Sequence, residues 1–156
     1  MEKKILIAVD DSENAMRAVE YVASSFNTEN SITLFSVVLD TPAICDMNSP
    51  SLTPYFIAQK DAFCSLEDQK KFLVKEALQK AKEVLLKAGF EEEKITVKLE
   101  DKKKGIARGI IDEAKSGYDT IVLGRRGLSS IKEFFLGSVP LKVLHSAGNI
   151  SVVLVN

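Results

Sequence analysis

Gly124, Gly127 and Gly137, with Ser138 beside the last, are the residues of this chain best suited to holding an anion. They lie in "GRRGLSSIKEFFLGSVPLKVLHSAG", which leaves the apolar run "TIVL" and ends in an apolar-periodic segment. Glycine has no Cβ, so Gly124 and Gly127 let a turn take positive φ and let a ligand approach the backbone. Gly137–Ser138 stands where a helix is predicted to begin, and the free amides and dipole of a helix start favour a phosphate. Ser138 can cap that helix or donate its hydroxyl to a phosphate oxygen, and Arg125 and Arg126 can add positive charge. The spacing is neither a Gly-Lys-Ser/Thr phosphate loop nor a G-x-G-x-x-G dinucleotide turn. Two readings therefore stand side by side, a nucleotide cradle and a pair of glycine-shaped loops around a helix cap.

Other chemistry-bearing residues form weaker constellations. Asp10–Asp11 resembles the metal-binding acid pair of receiver domains. Those domains also need a lysine near the end of the last strand and an acceptor aspartate on the third, and the final strand here reads "ISVVLVN". Asp11 is expected to be a helix cap or a solvated side chain. His145, beside Leu144 in the last predicted helix, suits a helix C-terminus electrostatically and assembles no Ser-His-Asp or Cys-His arrangement. Cys45 and Cys64, with a single histidine far from both, make no zinc pattern and no dense disulfide framework. They are expected to be free thiols in a reducing compartment.

The elements that must position these residues follow from composition and periodicity. A chain of 156 residues, 46% hydrophobic and 28% charged, is expected to form one domain over residues 1–156. A formal net charge of −1 speaks against a nucleic-acid binder. No apolar run approaches the roughly 18 residues of a membrane span, and "MEKKILIAVDD" does not read as a secretory leader. The location expected is the cytoplasm, with no membrane partner.

"KKILIAVD" and "SITLFSVVLD" are continuous apolar runs of the kind that forms strands buried on both faces, and "DTIVLG" and "ISVVLVN" read as the fourth and fifth strands. "KITVKLED" alternates and reads as an edge strand. Helical spacing marks the stretch after Ser12, a long helix from about Leu66 to Ala88, "GIARGIIDEAKSGY" and "PLKVLHSAG". Three of the four prolines fall in or near an irregular insertion at about 41–65, which reads as a lid, a partner surface or a mobile insertion. Strands alternating with helices imply an α/β fold with a parallel sheet. Ligands of such sheets bind beyond the carboxyl ends of the strands, where the strand order reverses. With the first strand central, the loops "DDSENA" and "GRRG" face one crevice.

The spacing G-x2-G-x9-G-S over Gly124, Gly127, Gly137 and Ser138 resembles the ATP-binding signature of the universal stress protein family. The likeness covers nearly the whole chain: "KKILIAVDDSENAMRAVEYV" is similar to the family's first strand and helix, "ITLFSVV" to its second strand, and "GNISVVLVN" to its last. The resemblance implies a Rossmann-like, open parallel five-stranded sheet in the order 3-2-1-4-5 with four helices on both faces. It implies that ATP, alone or with Mg2+, is held by Asp10 at the ribose and by the backbone of Val37 at the adenine. Leu123, Gly124, Arg126 and Gly127 would border the sugar and phosphates, and Gly137, Ser138 and Val139 would hold the phosphates. Two positions depart from the pattern. Ser36 replaces a frequent histidine, and Pro140 stands where Ser or Thr is common and has no N–H to give. A homodimer through the terminal strand Ile150–Val155 is implied as well, and it agrees with the need to cover a bare β-prone edge.

The function expected is a cytoplasmic stress-response module that binds ATP and signals its state to partners. The alternatives are a slow ATPase, an enzyme that phosphorylates itself on Ser129, Ser130 or Ser138, and a dimeric scaffold without nucleotide.

Overall fold

A computed structural model describes residues 1–39, 45–46, 53–102, 104–125 and 136–156. Strands β1 (Lys4–Ala8), β2 (Ser31–Leu39), β3 (Ile95–Lys102), β4 (Thr120–Gly124) and β5 (Ser151–Val155) alternate with helices α1 (Glu13–Ser25), α2 (Pro54–Lys87), α3 (Ile106–Ala114) and α4 (Ser138–Ser146). A short 3-10 turn, Glu92–Lys94, leads into β3. The strands form one parallel sheet in the order β3-β2-β1-β4-β5, as expected.

The apolar runs are continuous because the inner strands are covered on both sides. Ile5, Leu6 and Ile7 are all fully buried, and strand alternation sends them to opposite faces. Ile5 and Ile7 pack with Leu34, Val122 and the inward faces of α1 and α2, namely Ala18, Val19, Val22, Val74, Leu78, Ala81 and Leu85. Leu6 packs with Phe35, Ile121 and Leu123 against Ile110 and Ile111 of α3 and Val143 of α4. Each face thus carries two helices, and among the described residues no helix is long and apolar enough to cross a membrane.

Local signals set the helix ends. Ser12 caps α1 by accepting a hydrogen bond from the Ala15 amide at 3.2 Å. At the end of α2, Gly89 takes φ +101°. The amides of Gly89 and Phe90 then bond back to the carbonyls of Leu86 and Leu85, each at 3.1 Å, which closes the helix as a Schellman motif.

Two expectations are corrected. The second helix starts at Pro54, a dozen residues before the expected Leu66. Thr53 caps it, accepting from the Phe56 amide at 3.2 Å, and Pro54 occupies the first turn, where a missing N–H costs nothing. A proline that reads as a breaker in sequence is a helix starter here, and the earlier part of the expected irregular insertion lies mostly outside the described residues. The cysteines are also not free thiols. Cys45 is bonded to Cys64, with their Cα atoms 5.9 Å apart. Pairing depends on that proximity, which only the fold supplies, and the thiol argument for a reducing compartment falls with it.

A polar network fastens α3 to the sheet edge. The Lys98 ammonium donates to Glu113 Oε1 at 2.8 Å, and the Tyr118 hydroxyl approaches the same oxygen at 2.9 Å and Thr33 Oγ1 at 3.0 Å. The bond to Glu113 holds Lys98 above its ordinary 10.5 against the opposing pull of burial. Burial, above all, pushes Tyr118 above its ordinary 10.0. A group whose pKa rises on folding contributes stability below its unfolded value and loses it as pH climbs through the folded one. The network is therefore expected to weaken above about pH 10. The stability gap between the wild type and Glu113→Gln should shrink from pH 8 to pH 11 in urea titrations, and a constant gap would refute the coupling.

Candidate functional site

The sheet order reverses between β1 and β4, and the crevice above their carboxyl ends holds a cavity of about 300 Å³. That volume lies at the small end of ligand pockets. The loop after β1 forms one wall with Val9, Asp10, Asp11 and Ser12, and the end of β2 forms another with Ser36, Val37 and Val38. Leu123 and Gly124 close β4 at its floor, and Gly137, Ser138, Val139 and Pro140 bring in the start of α4. The expected residues Asp10, Val37, Leu123, Gly124, Gly137, Ser138 and Val139 therefore line one cavity. Arg126 and Gly127, with Ser129 and Ser130, lie outside the described residues.

Each wall has its own chemistry. Asp10 Oδ1 accepts from the Ser12 amide at 2.8 Å, which fixes the turn and leaves its second oxygen for other donors. The last bond from the β1 side to β2 runs from the Val9 amide to the Phe35 carbonyl at 2.8 Å. Along a strand, backbone groups two residues apart point the same way. The amide and carbonyl of Val37 thus face the β1 side just beyond the point where β1 stops, as a paired donor and acceptor on the crevice wall.

The two ends of the glycine motif meet in space. The Arg125 amide bonds to the Val155 carbonyl at 2.8 Å, and the Gly137 amide bonds to the Arg125 carbonyl at 3.1 Å. This pins the start of α4 beside the end of β4. Gly137 is the N-cap of α4, no side chain caps it, and Pro140 is buried in the first turn. The Gly137 amide is taken and Pro140 has none, so Ser138 and Val139 supply the first-turn donors. Ser138 is exposed and Val139 half-buried. His145 sits exposed in the last turn of α4, away from the crevice.

Asp11 corrects an expectation. Ser12 is the helix cap, and Asp11 Oδ1 is buried without a hydrogen-bond partner on the crevice wall. A buried acceptor without a donor is costly, and a ligand hydroxyl or a cation would satisfy it. The sequence also gave no sign that α2 reaches the site. Glu67, Lys70, Lys71 and Val74 of α2 line the crevice, and Lys71 Nζ pairs with Asp101 Oδ1 at 3.1 Å. From the other face Ile106 and Ile110 of α3 complete the apolar lining.

Comparison with known proteins converges on one lineage. The description of the universal stress protein family matches residues 1–156. A universal stress protein of Mycolicibacterium smegmatis is 29% identical over 97% of this chain, and the chain spans about half (48%) of that relative's length. The fold is shared with universal stress protein UspA from Lactobacillus plantarum, at TM-score 0.70 and 23% identity over 99% of this chain and 97% of that one. It is shared too with the universal stress protein from Archaeoglobus fulgidus in complex with dAMP, at TM-score 0.62 and 19% identity over 100% and 98% of the two chains. The chain belongs to the universal stress protein family.

Proposed function

We propose that this chain binds ATP in the crevice above β1 and β4 and acts as a nucleotide-dependent binding module in the stress response. The observation that carries the reading is the meeting, in one cavity, of the open backbone edge of Val37, the carboxylates of Asp10 and Asp11, and the uncapped start of α4. Val37 takes the adenine edge, as donor and acceptor. Asp10 and Asp11 receive sugar hydroxyls. The Ser138 and Val139 amides, with the Ser138 hydroxyl, hold phosphate oxygens at the positive end of the helix. A phosphate-borne Mg2+ needs only one or two protein carboxylates, and when one is present Asp11 would offer a carboxylate oxygen to it. The dAMP complex of the Archaeoglobus fulgidus relative supports an adenine nucleotide as the ligand class. The terminal strand supports a homodimer: β5 is the sheet's edge, with Val152 to Val155 only half-buried, and antiparallel pairing of two such edges would cover them.

The direct test is to purify the chain without added nucleotide, denature it, and chromatograph what is released, then to titrate the emptied protein with ATP by calorimetry. Released adenine nucleotide or a saturable heat is the expected result. A chain that releases none and gives no heat with millimolar ATP would end this reading.

A further inference from the structure

A second hollow adjoins the crevice on the side of α3 and α4. Ile106 of α3 and Val139 of α4 line both, so whatever leaves the crevice past Val139 enters it. The two hollows differ in charge. In the crevice Asp10, Asp11, Glu67 and Asp68 outnumber Lys70 and Lys71, and Lys71 is already paired with Asp101. The second hollow is lined by Lys104, Arg108 and Lys142, with no acid among its described lining residues.

All three cations are exposed, and like charges gathered in one hollow repel one another unless an anion comes between them. Arg108 Nε meets Asp112 Oδ1 at 3.4 Å, one turn along α3, which leaves the rest of its guanidinium fork to donate elsewhere. Lys104 and Lys142 make no ion pair among the described residues.

The position of Lys142 gives the anion a route. It follows Ser138 by four residues and Val139 by three, the spacing of neighbours on one helix face. The crevice, at about 300 Å³, lies at the small end of ligand pockets, and its net acidic lining repels a chain of phosphates. A chain whose first phosphate meets the Ser138 and Val139 amides is thus driven outward, towards the cations.

We propose that the hollow between α3 and α4 takes the terminal phosphates of a nucleoside triphosphate whose base and sugar sit in the crevice. Lys104, Arg108 and Lys142 then set a preference for triphosphate over monophosphate. This inference rests on the nucleotide reading of the crevice and adds to it where the end of the phosphate chain is held.

Calorimetric titration of the full-length chain with ATP and with AMP, at low salt and without Mg2+, tests it. The wild type should prefer ATP. Lys104→Gln with Lys142→Gln removes two exposed charges and should weaken ATP by about five- to tenfold while changing AMP less than twofold. Retained AMP binding also shows that the variant is folded. Lys104→Arg with Lys142→Arg keeps both charges and should keep the preference. Equal affinity of the wild type for ATP and AMP overturns this inference alone, as does a Gln variant that loses neither nucleotide or loses both to the same extent. A wild type that binds neither overturns the nucleotide reading, and this inference with it.

Discussion

Gly124→Ala is expected to lower folding stability by about 1–3 kcal/mol, the usual cost of forcing an extra methyl into packed structure. A Cβ at position 124 would lie 2.8 Å from the carbonyl carbon and oxygen of Asn14 and 2.9 Å from its Cβ. The nearest of these are backbone atoms in the first turn of α1, which cannot swing aside like the end of a flexible side chain. The glycine is therefore demanded by the close approach of α1 to the end of β4, and its φ is not positive. Urea unfolding of wild type and variant by circular dichroism measures the difference, and an unchanged midpoint would show that α1 shifts without cost. The same displacement acts on the site. Asp10, Asp11 and Ser12 form the turn that leads into α1, while Leu123 precedes Gly124 on the opposite wall. The variant should bind ATP more weakly even under conditions where it is folded.

This glycine shows where sequence and structure part. Its place at the mouth of the crevice was legible, because "TIVL" marks a buried strand and a parallel sheet puts its site at the carboxyl ends. Its reason was not, since the clash is with Asn14, more than a hundred residues away in the chain. The same division holds elsewhere. The central strands were legible because burial on both faces leaves uninterrupted Ile, Leu and Val. The order of the strands came with the family likeness, which periodicity alone does not encode. The start of α2 was obscured because Phe56, Phe63 and Leu66, ahead of Val74, are exposed, so they gave no core-facing stripe to extend. Glu67 and Lys71 fall inside the helix expected from the sequence, but that this stretch borders the crevice depends on how the helix packs across the sheet. The Cys45–Cys64 bond and the orphaned oxygen of Asp11 depend on chain segments meeting in three dimensions, and a nineteen-residue spacing or an acid pair carries no record of that.

Gly137→Val is expected to remove ATP binding while leaving the fold intact. Gly137 sits at φ −60° and ψ 158°, extended backbone that a β-branched residue adopts readily, so the substitution brings no backbone strain. Its backbone roles survive as well, because the amide still donates to Arg125 and the carbonyl still accepts from Leu141. What changes is the space at the mouth of α4, where an isopropyl group would stand in the crevice beside the amides of Ser138 and Val139. A hydrogen bond to a charged group is worth about 1.5–3 kcal/mol. Loss of two such bonds weakens binding by roughly a hundredfold or more, enough to erase the calorimetric signal of a micromolar ligand. Pro140 makes the site more sensitive still, since it supplies no third first-turn amide to compensate. Adenosine is the internal control. Held through Val37, Asp10 and Asp11 alone, it should bind the wild type and Gly137→Val alike, whereas ATP should distinguish them. Equal ATP affinity in a variant with a wild-type melting curve would place the phosphates away from α4, and loss of adenosine along with ATP would mean that the valine had deformed the whole crevice.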